Sequence, residues 1–376
     1  MKQRLFPEQD FPGLDRMTYL NTAAEGIPPA CVGVALQQYW QDKLLGMQGR
    51  QNHFARREAC REVAAQLLGR QPQEISFCSC SAEAYNLLAS ALQLGPGDEV
   101  IVNDLDFPSG ATPWLSAAAP TVRVWRSRNG ALALEDLRAL LGPRTRLVQV
   151  SLVSFYNGYR LDWIPFRTVV RSIAGQALIS VDVTQALGRV ELDCTDADCL
   201  ISSTHKWVLG LHGGCLVAIP GHRAETLTTR AGGWYHLANA FDADRFERVA
   251  HKQGADSFAV GMPNFAAIYA LEAALRYLGG FGVRQIAAHA DPLVQLLSSA
   301  LPRLGLTPMA SIEGNRCSGI VAFQHASSAA LQARLEADHL HVMHHAGRLR
   351  VSVHGYNSQS DIEHLLESLR AALRAI

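Results

Sequence analysis

Lysine side chains are mostly solvated surface groups, but Lys206 closes the stretch Ser203-Thr204-His205-Lys206-Trp207, directly after the apolar run Cys199-Leu200-Ile201-Ser202. An amine held there can condense with an aldehyde, and the neighbouring Ser203 and His205 can bind a phosphate. Upstream, Ser180-Val181-Asp182-Val183-Thr184-Gln185 ends a second apolar run on a carboxylate. Burying Asp182 is costly without a charged partner, and a protonated pyridine nitrogen is such a partner. Gln185 can donate a hydrogen bond to a ring hydroxyl oxygen. Amine, carboxylate and amide in this order fit pyridoxal 5′-phosphate. Lys206 would form the Schiff base, and Asp182 would keep the ring nitrogen protonated so that the ring accepts electrons.

Other segments fit the same ligand. Ser81-Ala82-Glu83 follows one strand-like run and opens a helix-like one, and the unpaired N–H groups at such a start favour an anion. Phe107, in Asp104-Leu105-Asp106-Phe107-Pro108-Ser109, can stack on a pyridine face. Ser154 and Asn157 can reach the ring edge. Arg350, on the strand-like Leu349-Arg350-Val351-Ser352, offers the fork that pairs with an amino-acid carboxylate. The glycines of Gly210-Leu211-His212-Gly213-Gly214 match no Walker or dinucleotide pattern and read as a tight turn.

These residues need a scaffold that gathers them at one edge. Strands are predicted at Glu74–Cys78, Glu99–Val102, Thr121–Trp125, Arg146–Ser151, Ala177–Val181 and Cys199–Ser202. The helices between them are predicted at Ala82–Leu92, near Ala111–Ala118, at Leu134–Leu141 and at Pro165–Ala174. Apolar strands alternating with helices imply an α/β fold with a mostly parallel sheet covered on both faces, and ligands of such sheets sit beyond the carboxyl ends of the strands. After about residue 262 the pattern becomes α+β. Helices are predicted at Phe265–Tyr277, ended by Gly279-Gly280, at Val283–Leu301, at Ser328–Ala337 and from Ser360 to about Ala375. Strands are predicted at Gly319–Phe323 and Leu349–Val353. The domains expected are an N-terminal arm over 1–20 packing on the small domain, a large domain over 21–261 and a small one over 262–376.

The 376 residues are 48% hydrophobic and 18% charged, with a formal net charge of zero. This balance gives no electrostatic basis for binding nucleic acid or an anionic membrane. The start of the chain lacks an apolar signal core and no apolar run approaches bilayer length, so a cytoplasmic protein is expected. Of the eight cysteines, Cys78 and Cys80 form no CxxC pair, and the set reads as reduced and structural. His205 with His212, and His344 with His345, lack a third ligand in the sequence, so no metal is expected.

In order, these motifs resemble those of the class V aminotransferase family, which includes cysteine desulfurases, kynureninases and isopenicillin-N-epimerase-like proteins. The resemblance runs from Tyr19-Leu20-Asn21-Thr22-Ala23-Ala24-Glu25-Gly26 to Arg350-Val351-Ser352-Val353-His354-Gly355-Tyr356-Asn357. It implies a fold-type I pyridoxal-phosphate-dependent transferase whose large domain holds a seven-stranded, mostly parallel sheet between helices. It also implies a homodimer with active sites at the subunit interface. Asn21 and Ala24 would then contact substrate with Arg350, and Met262 and Asn264 would contact the partner subunit's cofactor. Three positions depart from the family pattern. Ala82 stands where a phosphate-binding threonine is frequent, Met262 where desulfurases often have threonine, and Val342-Met343-His344-His345-Ala346-Gly347-Arg348 contains no cysteine ahead of Arg350. Cys317, before an apolar strand, reads as structural rather than as a persulfide carrier.

The expected function is chemistry at Cα of an amino acid, transamination or epimerisation, with Lys206 as general base once displaced by the substrate amine. The alternatives are a desulfurase-type or other C–S β-lyase, and a non-catalytic cofactor-binding scaffold.

Overall fold

The apolar runs form the inner strands of one sheet. In the computed structural model, which describes residues 4–117, 119–312 and 314–376, a short strand β1 (Thr18–Tyr19) precedes helices α1 (Ala30–Leu44) and α2 (Arg50–Leu68). Strands and helices then alternate: β2 (Ile75–Cys78), α3 (Ser81–Leu92), β3 (Glu99–Asn103), α4 (Pro108–Ser116), β4 (Thr121–Trp125), α5 (Leu134–Leu140), β5 (Thr145–Ser151) and α6 (Trp163–Ile173). Three strands follow, β6 (Leu178–Asp182), β7 (Cys199–Ser203) and β8 (Cys215–Ala218). Together they make a seven-stranded sheet in the order β2-β8-β7-β6-β5-β3-β4. Only β8 runs antiparallel to its neighbours. Strands β2, β3, β6, β7 and β8 are buried along their whole length, which is why they read as unbroken apolar runs.

The remaining elements are α7 (Phe265–Phe281), α8 (Val283–Ala300), β9 (Ile320–Gln324), α9 (Ser328–Ala337), β10 (Leu340–His341), β11 (Met343–His345), β12 (Arg348–Ser352) and α10 (Gln359–Ala375). β12 lies between β11 and β9, antiparallel to both. Ser358 caps α10, its hydroxyl accepting from the Asp361 N–H. A separate core of Leu293, Val294, Leu297, Phe323, Leu349, Val351 and Leu365 lies beneath this sheet.

Helix α7 packs elsewhere. Ile268, Leu271, Leu275 and Leu278 belong to the core of the large sheet, on the other side of the boundary expected at 262. The arm reaches both bodies. Phe6 packs on Tyr277 and Phe281 of α7, while β1 pairs in parallel with β10. The first three residues of that arm lie outside the described residues.

Two helix boundaries need correction. The helix expected near Ala111–Ala118 begins at Pro108, because a proline is favoured in the first turn, where its missing N–H costs nothing; Ala118 itself lies outside the described residues. Gly279-Gly280 does not end α7, which continues to Phe281. Each glycine costs about 1 kcal/mol in a helix, and burial of Tyr277, Leu278 and Phe281 against the arm and core offsets that. Helices α1 and α2 and strand β8 were not anticipated. Among the described residues no helix is long and apolar enough to cross a membrane.

Candidate active site

Parallel strands β3, β5, β6 and β7 end at one edge of the sheet, with Ser151 opposite Asp182 in register. The loops leaving that edge meet the start of α3 around a single cavity. Ser81, Ala82, Phe107, Asp182, Gln185, Ser203, His205 and Lys206 all line it, joined by Cys80, Ser109, Ser151, Val153, Phe155 and Thr184. Eight residues singled out in the sequence therefore converge on one space.

Lys206 leaves the loop after β7, and its Nζ lies 5.4 Å from the centroid of the Phe107 ring. Burial pushes its pKa down to about 8, with the Asp182 charge opposing and Arg350 reinforcing the shift. The backbone before it is tightly packed. Gly26 donates its N–H to the His205 carbonyl, and a Cβ on Gly26 would lie 1.9 Å from the Lys206 carbonyl oxygen. Any other residue there would displace the loop that carries the amine.

Asp182 is held at both oxygens. Oδ2 accepts the Tyr85 hydroxyl at 2.7 Å and Oδ1 the Thr184 N–H at 2.8 Å. Nearby, the buried Asp106 carboxyl is pushed up to about 7 by burial, with the Asp182 charge adding to the shift. Its Oδ1 accepts the Ser151 N–H, and its Oδ2 has no partner. Tyr85 was missed in the sequence, although it lies one helical turn beyond Ser81 and so shares its inward face.

At the start of α3, the Cys80 thiol accepts from the Glu83 N–H, leaving Ser81 and Ala82 on the cavity wall. The Ser109 hydroxyl, also on the wall, is buried without a partner. Across from them the His205 ring stacks on His212 with centroids 4.2 Å apart. Burial, then Lys206 and His212, push His205 down to about 4. His212 reaches Glu25 at 3.2 Å. The sequence offered no third donor beside these imidazoles, but the fold supplies Glu25, bringing three ligand atoms within 4.8 Å of one another.

Several expectations change. Ser154 does not line the cavity, because its hydroxyl donates to the Leu105 carbonyl and accepts from the Tyr156 N–H. The Asn157 amide bonds the Gly130 carbonyl and the Tyr159 N–H. Gln185 lines the cavity with its oxygen taken by Trp207 Nε1 and one amide hydrogen by the Ala23 carbonyl, so one hydrogen remains for a ligand. Met262 and Asn264 line an adjoining cleft beside Ser79 and Glu83, and the contact expected of them is with the partner subunit's cofactor rather than with the Lys206 cavity of their own chain. The Asn264 side chain caps α7 and bonds the Gly213 carbonyl.

Arg350 points from β12 towards the cavity wall. One Nη donates to the Phe155 carbonyl at 2.6 Å, while its buried Nε has no partner. Burial, and then Arg348, push Arg350 down to about 10. Asn21 bridges to Ser352 beside it, with its buried Oδ1 unpartnered. Ala24 closes a turn through its N–H to the Asn21 carbonyl and does not line the cavity.

Comparison with known proteins agrees with this geometry. The Aminotransferase class-V family model matches residues 18–365. An uncharacterized aminotransferase, YcbU, of Bacillus subtilis is 26% identical over 365 residues, covering 96% of each chain. A probable cysteine desulfurase of Synechocystis is 27% identical, covering 97% of this chain and 94% of that protein. Among solved structures, the apo cysteine desulfurase of Thermococcus onnurineus covers both chains fully at 21% identity with a TM-score of 0.88. A complex of the cystine C–S lyase C-DES with its product cysteine persulfide aligns at 0.87 and 22% identity, covering 96% of this chain and 99% of that one.

Proposed function

Because the chain belongs to the aminotransferase class-V family and is a pyridoxal 5′-phosphate-dependent enzyme, we propose that the Lys206 cavity holds the cofactor and that the enzyme acts at Cα of an amino acid, by transamination or a related proton transfer. One observation carries this reading: Lys206 and Asp182 line one cavity, while no cysteine precedes Arg350 on the segment 342–348.

The residues fit the group. When bound, pyridoxal phosphate supplies an electrophilic carbonyl and an electron-accepting ring. Asp182, fixed by Tyr85 and Thr184, would accept the ring N–H. Phe107, 45% exposed, offers a face for stacking. The first-turn N–H groups at Ser81 and Ala82 and the orphaned Ser109 hydroxyl suit a phosphate. Ala82 offers no hydroxyl, so that end relies more on backbone donors and on His205. Lys206 Nζ, with its pKa lowered to about 8, is neutral often enough near physiological pH to take the Cα proton. Arg350 holds the substrate carboxylate.

A C–S β-lyase is the second reading, favoured by the relatives named as desulfurases. β-Elimination needs no sulfur-accepting thiol, but the desulfurase form of this reading does, and among the described residues the cysteine on the cavity wall, Cys80, has its thiol engaged by the Glu83 N–H. Cys317 is buried, and burial followed by the Asp291 charge pushes its thiol up to about 12, far from a reactive thiolate. Incubating cofactor-loaded protein with the twenty amino acids and cystine should yield inverted amino acid, or 2-oxo acid without free ammonia because the amino group stays on the cofactor. Sulfide or persulfide from cysteine or cystine, released with pyruvate and ammonia or with alanine, and no conversion of the other amino acids, would replace this reading with the lyase.

We also propose a large unit over the central sheet and α7 and a small one around β9, β11 and β12, paired in a homodimer. Trp40, Leu44 and Met47, at 58%, 62% and 74% exposed, are unusually apolar for open surface, and Met47 shares a cleft with Met262. In sedimentation the protein should run as two chains, and Trp40→Glu with Leu44→Glu should shift it to one. A wild-type protein that sediments as a single chain would exclude the dimer.

A further inference from the structure

Alternation along β12 sends Leu349 and Val351 into the core of the small unit and turns Arg348 and Arg350 to the opposite face. That face meets the loop after β5. Arg350 bonds the Phe155 carbonyl, and the Arg348 guanidinium lies 3.9 Å from the centroid of the Tyr156 ring. Phe155 itself lines the Lys206 cavity.

Both arginines are 3% exposed, and both have a buried Nε without a partner. Other buried arginines are neutralised: Arg57 by Glu58, Arg61 by Asp256 at 2.6 Å and Arg189 by Asp291 at 2.7 Å. Among the described residues no carboxylate lies within ion-pair distance of Arg348 or Arg350. Two adjacent buried cations without a counter-charge are costly, unless the ligand brings two anions.

We propose that Arg348 and Arg350 form a two-anion subsite, so that the amino acid accepted at the Lys206 cavity carries a second acidic group on its side chain. The inference rests on the amino-acid reading above. One carboxylate pairs with the free edge of Arg350 and the other with Arg348, whose guanidinium is oriented by Tyr156. The Cα atoms of residues two apart on a strand are spaced roughly 6.6 Å, close enough for two long arginine side chains on one face to hold both carboxylates of one dicarboxylate such as succinate. An amino acid with a neutral side chain would leave Arg348 buried and unpaired.

Succinate and butyrate test this without chemistry, since neither has an amine. Titration calorimetry on the cofactor-loaded protein should give succinate about 10- to 100-fold tighter binding than butyrate, the range of one charge-assisted hydrogen-bonded pair. Arg348→Gln should bring the two ligands within about twofold of each other, and Arg348→Lys should keep part of the preference, since a point charge replaces a fork. Equal affinities in the wild-type protein would overturn the proposal whether or not the variants fold, as would a preference that survives Arg348→Gln. If succinate is preferred but no amino acid is converted, the subsite stands and the catalytic reading fails.

Discussion

Lys206→Met should abolish covalent attachment of the cofactor and stop turnover while leaving the fold intact. Borohydride treatment of the loaded wild-type protein, followed by peptide mass spectrometry, should find a pyridoxyl group on Lys206 and nowhere else. The variant should carry none, and its amino-acid turnover should fall to background, because the group that holds the carbonyl and the group that moves the Cα proton are the same amine. A pyridoxyl label on another lysine of the wild-type protein would refute the assignment.

The same variant has a second, independent readout in the cofactor-free protein. Folding lowers the Lys206 pKa from 10.5 to about 8, so the unfolded chain binds more protons between those values. Wild-type stability should therefore rise with pH across that window. Below pH 8 the buried amine costs on the order of 3 kcal/mol, and Lys206→Met should be the more stable protein by up to that amount. Its advantage should fade as pH approaches 10.5. Chemical denaturation at pH 7 and pH 10 measures both ends, and a variant less stable than wild type at pH 7 would contradict the burial argument.

How far the site could be read from sequence depended on what each residue does. Asp182 and Lys206 each follow a run of apolar residues, and strands buried on both faces leave such runs, so their shared edge was legible. Helix α2 was not, because its buried face includes Arg57 and Arg61, whose charges are matched by Glu58 and Asp256; a helix that buries arginines shows no clean apolar stripe. Strand β8 is four residues long behind a glycine turn, too short to register. Asn264 caps α7, a use of an amide that only the fold reveals. Tyr85 was invisible for another reason. Its hydroxyl matters only because α3 crosses the end of β6, a juxtaposition between residues 97 apart in the chain. Arg348 was hidden likewise, since its lack of a partner is a property of packing.

That crossing gives the other large effect. Asp182→Asn should leave a folded protein that still binds cofactor, because the remaining amide oxygen can accept the Thr184 N–H while the Tyr85 hydroxyl turns to accept from the new amide N–H. Turnover should nevertheless fall by about 10²–10³-fold, the usual loss when a preorganised electrostatic contact to the reacting system is removed. Asp182→Ala should fold less stably, by roughly 2–4 kcal/mol, since two buried donors then lose their acceptor. Tyr85→Phe separates orientation from charge. It removes the 2.7 Å bond to Oδ2 and keeps the carboxylate, so turnover should drop only about 3- to 10-fold, one hydrogen bond's worth, with cofactor affinity little changed. The three variants thus rank by what remains at residue 182: a free carboxylate, then an amide, then nothing. Steady-state turnover together with fluorescence titration of the cofactor measures the ranking. If Asp182→Asn matched Tyr85→Phe, geometry rather than charge would be what Asp182 contributes, and its role opposite a ring N–H would have to be abandoned.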